Sequence, residues 1–251
     1  MTVPGIEPVS PVAPPVRGPV MMNQHWRDLT FLHWAVEPWR VQAYLPRGVR
    51  PDTYEGVTYV GLVPFRMVDA GVARGPGVPW AGTFLETNVR LYSVDDTGRR
   101  GIVFLSLDTD RAVVVAGAQA VFGLPYRWAR MRYDVRGDVR TYDARLRRRS
   151  SRPTSHVSVR VGGPRAATPL DEFLSARWGL HVSRWGRTFY VPNAHGPWPL
   201  RDAELLALDD QLTASVGLGE LADHAPDHVA FSDGVHTEFG LPTLADRPRR
   251  T

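Results

Sequence analysis

Side chains on a β-strand point alternately to opposite faces, and along residues 83–94 this alternation separates chemistry from packing. One face carries Thr83, Leu85, Thr87, Val89 and Leu91; the other carries Phe84, Glu86, Asn88, Arg90 and Tyr92. An acid, an amide and a guanidinium in alternate positions, bracketed by aromatics, could hold an anion on Arg90 in a forked contact and move a proton at Glu86. Matching the apolar face of the next strand (Val103, Leu105, Leu107) to Leu85, Val89 and Leu91 brings Arg90 near Ser106, Asn88 near Asp108 and Tyr92 near Phe104. The plainer reading of the same residues is a solvent-facing strand with a weak Glu86–Arg90 surface pair and Asp108 as a helix cap.

What the chain lacks narrows the chemistry further. None of the 251 residues is lysine; all 30 basic side chains are arginine. Imine formation with a carbonyl substrate needs an amine, and a guanidinium stays protonated, so Schiff-base catalysis is excluded. Zero cysteine removes disulfides, thiolate nucleophiles and sulfur-ligated zinc. There is no Gly-x-Ser-x-Gly elbow, phosphate loop or dinucleotide fingerprint, so no cofactor is expected. His224 and His228 have a helical metal-ligand spacing, but Pro226 between them marks a loop, and no metal site is expected.

Two other histidines stand as candidates. His33 alternates with Leu29 and Phe31 on a strand, where a lone histidine reads as a hydrogen-bonded core or rim residue. His195 precedes Gly196-Pro197-Trp198, a tight loop, and reads as a residue at a pocket mouth.

The elements that must position these groups are mostly strands. Leu29–Val36, Val57–Pro64, Thr83–Val94, Ile102–Leu107, Arg130–Val135 and Val139–Ala144 read as extended, with turn chemistry at 95–98 and 136–138. Further strands are expected around 156–161, 181–192 and 227–239. A helix capped by Asp108 or Thr109 and running to Phe122 has apolar residues on all sides, which predicts burial. A second helix opens at Thr168-Pro169 and runs to about Trp178, and a short one spans Pro38–Leu45. The stretch 203–216 reads either way.

The first 20 residues contain six prolines and predict a disordered or extended tail. Residues 21–245 read as a single domain and 246–251 as a loose end. The longest uncharged apolar stretch, 112–126, is too short to span a bilayer, and the N-terminus lacks the pattern of a secretory signal; a soluble, cytoplasmic protein with no membrane partner is expected. The formal net charge is +4. The run Arg145, Arg147, Arg148, Arg149 and Arg152 reads as a solvated loop, with no nucleic-acid motif beside it.

Seven strings in order carry a resemblance. They are Trp26-Arg27-Asp28 with Phe31-Leu32-His33-Trp34; Val63-Pro64-Phe65; Glu86-Thr87-Asn88-Val89-Arg90; Ser106-Leu107-Asp108; Leu124-Pro125-Tyr126; His195-Gly196-Pro197-Trp198-Pro199-Leu200; and Phe231-Ser232-Asp233-Gly234-Val235. From about Met22 to Pro242 the chain resembles the YqjF-like family, domain of unknown function 2071, which is similar to the acetoacetate-decarboxylase-like superfamily. The resemblance implies an α+β, mainly β fold: a closed antiparallel β-barrel around an internal pocket, with a buried central helix and one or two peripheral helices. It also places Tyr126 where the decarboxylases carry their Schiff-base lysine, with Arg127 beside it, and turns the Glu86/Asn88/Arg90 face inward. There Glu86 and Arg90 satisfy each other, or Arg90 holds an anion.

The expected function is a small-molecule pocket protein, acting on a small organic acid or carbonyl compound without an imine. Glu86 and Tyr126 are the candidate catalytic groups, and Asn88, Arg90, Ser106, His33, His195 and Arg127 the candidate ligand-binding residues. The rival reading is a non-catalytic ligand-binding or scaffold barrel.

Overall fold

A computed structural model describes residues 5–115, 119, 123–147 and 151–245. Thirteen strands dominate: β1 (Val20–Val36), β2 (Val49–Pro51), β3 (Thr58–Val72), β4 (Phe84–Asp95), β5 (Arg100–Thr109), β6 (Tyr126–Arg136), β7 (Val139–Leu146), β8 (Thr154–Pro164), β9 (Gly179–Arg184), β10 (Arg187–His195), β11 (Leu200–Asp210), β12 (His228–Gly240) and β13 (Thr243–Leu244). Among the elements whose bounds are described, two short α-helices interrupt them, α1 (Pro38–Val41) and α2 (Pro169–Ser175). Proline begins both, as expected of a residue with no N–H to lose in a first turn. Thr168 caps α2 in a reciprocal box with Asp171. The ambiguous stretch 203–216 resolves into β11 and a 3₁₀ turn at Ala214–Val216.

The strands form one mixed sheet in the order β13-β10-β9-β5-β6-β7-β8-β11-β12-β1-β3-β4-β2, with additional β4–β5 and β10–β12 pairings. The sheet is not wholly antiparallel. β5 pairs in parallel with β6, Leu107 opposite Tyr126, and with β9, Ile102 opposite Leu180. Parallel neighbours need a crossover of a dozen or more residues, which the segment between Thr109 and Tyr126 provides.

That crossover departs from the expected buried helix. β5 continues through Thr109, so Asp108 is a strand residue and not a cap. Helical residues begin at 112; Ala112 and Val113 are exposed, while Val114 and Val115 are half-buried. The rest of the predicted apolar helix, save Gln119, falls outside the described residues.

Both faces of β4 are covered. On one, Val89 and Leu91 join Leu32, Leu62, Val103, Ala144, Val157 and Val159 in the largest apolar cluster. Each of the buried valines and leucines contributes about 1.5–3 kcal/mol by leaving water. The opposite face looks onto two smaller clusters, around Tyr92, Phe173 and Leu180 and around Phe31, Phe65 and Phe84. The described part of the proline-rich segment, residues 5–19, has neither helix nor strand. It is bonded to the sheet through Glu7 N–H to Gly98 O, Arg100 Nε to Glu7 O and Trp178 Nε1 to Ser10 O.

Candidate functional site

A cavity of about 490 Å³ lies against the second face of β4. Phe84, Glu86, Asn88 and Arg90 all line it, and Tyr126, at the start of β6, lines it from the side. Gln24 on β1 adds one amide; Leu29, Phe65, Phe104, Leu180, Val182, Trp198 and other apolar side chains make up most of the remaining wall. The polar row therefore faces inward, as the resemblance implies.

The row shares its cavity with few hydrogen-bonding partners. Glu86 is 2% exposed, and its Oε2 accepts a 2.9 Å hydrogen bond from the Tyr126 hydroxyl. Burial outweighs that bond and pushes the Glu86 carboxyl up to about 8, so most of it is protonated at neutral pH. Burial and the adjacent Glu86 raise the Tyr126 phenol well above its ordinary value. Asn88 is buried, with its Oδ1 unpartnered among the described residues.

Arg90 does not pair with Glu86. Its Nε donates to the Tyr92 hydroxyl at 3.2 Å and one terminal nitrogen reaches Leu174 O at 3.4 Å. Its guanidinium carbon lies 5.5 Å from the Phe31 ring centre. Among the described residues, no carboxylate lies within ion-pairing distance of Arg90. An isolated ion is costly to hold in an apolar wall, and this one is left with its charge unbalanced.

Four of the expected ligand-binding residues, Ser106, Arg127, His33 and His195, do not line the cavity, and one irregularity displaces the first. Val89 pairs with Ser106, but Arg90 pairs with Phe104, so Leu105 is an extra residue on β5. Such a bulge exchanges the faces of everything beyond it. Phe104 and Leu107 therefore both reach the cavity, while Ser106 turns to the packed side opposite Val89, fully buried, with no partner for its hydroxyl among the described residues. Asp108 pairs with Thr87 on that same side. Arg127 lies next to Asp108 on β6 and is drawn into a forked ion pair, one contact at 2.7 Å, with a further bond to Ser215 Oγ at 2.8 Å. Alternation along β6 places Tyr126 and Arg127 on opposite faces, so only the tyrosine lines the cavity.

His33 is fully buried behind the wall. Its Nε2 lies 2.6 Å from the Tyr92 hydroxyl and its Nδ1 3.0 Å from Nδ1 of His228, whose Nε2 lies 2.7 Å from Asp171 Oδ1. Gly61 sits between His33 and Arg90 in neighbouring strands, where a Cβ would come 3.0 Å from the imidazole and 3.2 Å from Arg90 Cγ. The missing side chain makes room for both.

His195 packs among Trp26, Trp178 and Trp198 at ring-centre distances of 6.0, 4.5 and 4.9 Å. Two of these, Trp26 and Trp198, line the cavity and stack on each other at 5.8 Å. His195 thus stands behind the indole wall. Desolvation lowers it to about 4, leaving it neutral with Nδ1–H donating to Gly196 O at 2.7 Å.

The sequence reading did not single out Tyr92 as a hydrogen-bonding group, nor His228 and Asp171. The alternation did place Tyr92 on the Arg90 face, but nothing in the local sequence signals the fold-distant partners. Among the described residues, no group of three or more His, Cys, Asp or Glu is placed to hold a metal ion. None of the described helices is long and apolar enough to cross a membrane. Arg145, Arg147 and Arg152 are exposed and, with Arg130, border a separate hollow of about 220 Å³; Arg148 and Arg149 lie outside the described residues.

Comparison with known proteins bears on the family and the fold. The chain is 33% identical over 187 residues to the uncharacterized protein YqjF of Bacillus subtilis (strain 168), covering 73% of this chain and 76% of that one. Among solved structures, acetoacetate decarboxylase from Legionella pneumophila superposes with a TM-score of 0.60 at 15% identity, over 90% of this chain and 87% of the other. The enduracididine biosynthesis enzyme MppR, in its complex with pyruvate, gives a TM-score of 0.61 at 16% identity over 91% of each chain. At such identities the likeness is one of fold, and the fold is acetoacetate-decarboxylase-like. The model of the DUF2071 family of uncharacterized conserved proteins matches residues 23–236, and the chain belongs to that family.

Proposed function

We propose that this protein binds a small, largely apolar organic acid or carbonyl compound in the cavity against β4, with its anionic or polar end on Arg90. The observation that carries the reading is the guanidinium itself: a charged group on an apolar wall, with no carboxylate in reach among the described residues. A ligand carboxylate would supply the missing charge in a forked geometry, and the surrounding rings and aliphatic groups would cover its body. A carbonyl-acid ligand is also what MppR holds in its pyruvate complex, although the imine route is closed to a chain with no lysine.

Walking from β5 through β6, β7, β8, β11, β12, β1 and β3 to β4 returns to β5. We read this as a barrel-like closure that keeps the cavity wall rigid. If the protein turns over its ligand, Glu86 and Tyr126 are the proton-transfer pair, the acid poised near neutrality as such chemistry requires. The scarcity of polar groups on the wall favours the alternative, a binder that sequesters its ligand unchanged.

The test is a thermal-shift screen of monocarboxylates, ketones and lactones against the wild type and Arg90→Gln. Stabilisation by acids that vanishes in the variant supports the assignment, and acids that stabilise both equally remove Arg90 from the site. Incubating the hits with protein and analysing for products separates enzyme from binder.

A further inference from the structure

The geometry points to Tyr92 and His33 as positioning residues that aim the Arg90 guanidinium into the cavity, through a hydrogen-bonded chain anchored at Asp171. This rests on the reading of Arg90 as the anion-binding group, and it explains a row of polar residues buried where apolar ones would pack as well.

The chain runs Arg90, Tyr92, His33, His228, Asp171, with successive contacts of 3.2, 2.6, 3.0 and 2.7 Å. With one proton on each imidazole, its two ends set its direction. A guanidinium only donates and an ionised carboxylate only accepts. Asp171 is ionised: Arg165 reaches it in a forked contact, one arm at 2.7 Å, and the Thr168 hydroxyl and backbone N–H both bond to it. His228 must therefore present Nε2–H to Asp171. At the other end, the Tyr92 oxygen accepts from Arg90, which leaves its own proton for His33 Nε2. His33 then carries its proton on Nδ1 and gives it to the bare Nδ1 of a neutral His228. Every donor then points from Arg90 towards Asp171. Burial holds the His33 imidazole well below its ordinary value, in keeping with the neutral form.

A chain of this kind cannot carry protons to the cavity, because the arginine at its inner end does not give one up. What it can do is fix Arg90. A tyrosine oxygen whose hydrogen is committed to His33 has only lone pairs to offer, and they hold Nε, the inner edge of the guanidinium. Of the two terminal nitrogens, one reaches Leu174 O at 3.4 Å and the other is left to meet a ligand. Gly61 permits the arrangement by leaving the space between His33 and Arg90 open.

The decisive experiment has two arms. Long-range ¹H–¹⁵N spectra of the full chain report histidine tautomers directly, with no ligand needed. His33 is expected as the Nδ1–H form and His228 as the Nε2–H form; any other pairing breaks the chain and overturns the proposal. The second arm measures hexanoate binding by calorimetry to the wild type, Tyr92→Phe, Arg90→Gln and the double variant. Tyr92→Phe keeps the ring that packs 5.9 Å from Phe173, so the fold is expected to survive. Loss of one hydrogen bond to a charged group should weaken hexanoate about tenfold or more. In the Arg90→Gln background the same change should add nothing. Unchanged affinity in Tyr92→Phe, or an equal loss in both backgrounds, sinks the positioning role. No hexanoate binding to the wild type while the tautomers come out as stated would instead count against the anion-site reading alone.

Discussion

The Tyr126 hydroxyl donates to Glu86 Oε2 across 2.9 Å, tying the first residue of β6 to the third of β4. This bond favours the ionised carboxylate, yet burial outweighs it and the carboxyl rises from 4.5 to about 8. A carboxyl that binds its proton more tightly folded than unfolded makes the folded state lose stability as pH climbs from about 4.5 to about 8. The slope from this one group approaches ~1.4 kcal/mol per pH unit. Glu86→Gln keeps the shape and removes the titration. Denaturant unfolding between pH 5 and pH 9 should therefore show the variant gaining on the wild type as pH rises. Parallel profiles would mean that Glu86 is ionised throughout.

How much of this was legible beforehand depends on the range of the interaction. The inward row at 84–90 follows from alternation within one strand together with the family strings, and both are local. Ser106 was misplaced because the parity argument assumes an unbroken ladder. The extra residue Leu105 carries no sequence signature, since neither glycine nor proline marks it. Arg127 was misplaced because the resemblance matched the position of Pro125 but said nothing of which face follows it. The chain behind Arg90 joins β1, β4, β12 and α2, so no local pattern could announce it. The crossover after β5 reads as an all-round apolar helix, yet Ala112 and Val113 face solvent.

Arg127 and Asp108 offer a control for the cavity assignment, because their ion pair lies on the packed side of the sheet. Asp108 is fully buried and Arg127 mostly so. Arg127→Ala removes the forked partner of a buried carboxylate, and breaking such a buried pair costs up to ~3–5 kcal/mol. The expected outcome is a large fall in melting temperature, with ligand affinity of the remaining folded protein unchanged. A variant that loses the ligand but keeps its stability would return Arg127 to the site.

Ser106→Ala tests the same face from the opposite direction. The wild-type hydroxyl is buried opposite Val89 and unpartnered among the described residues, so it bears a desolvation cost of about 1–3 kcal/mol that no hydrogen bond offsets. Alanine removes the polar atom and leaves a gap smaller than a methyl group. The variant should be as stable as the wild type or slightly more so, and bind the same ligands. A clear destabilisation in urea would show that the hydroxyl has a partner.

His195 supplies the acid limb of the stability profile. Its pKa is lowered from 6.5 to about 4, first by desolvation among the indoles, with Arg90 adding repulsion, while the Gly196 carbonyl works against both. Between those values the unfolded chain takes up a proton that the folded one refuses, so stability falls as pH drops from about 6.5 to about 4. His195→Gln removes that titration while keeping an amide that can donate to Gly196 O. Relative to the wild type, the variant should gain stability on acidification, with urea unfolding followed through tryptophan fluorescence. If the two profiles run parallel between pH 6.5 and pH 4, the folded imidazole takes up its proton as readily as the unfolded one, and below pH 6.5 the three indoles would enclose a cation beside Arg90.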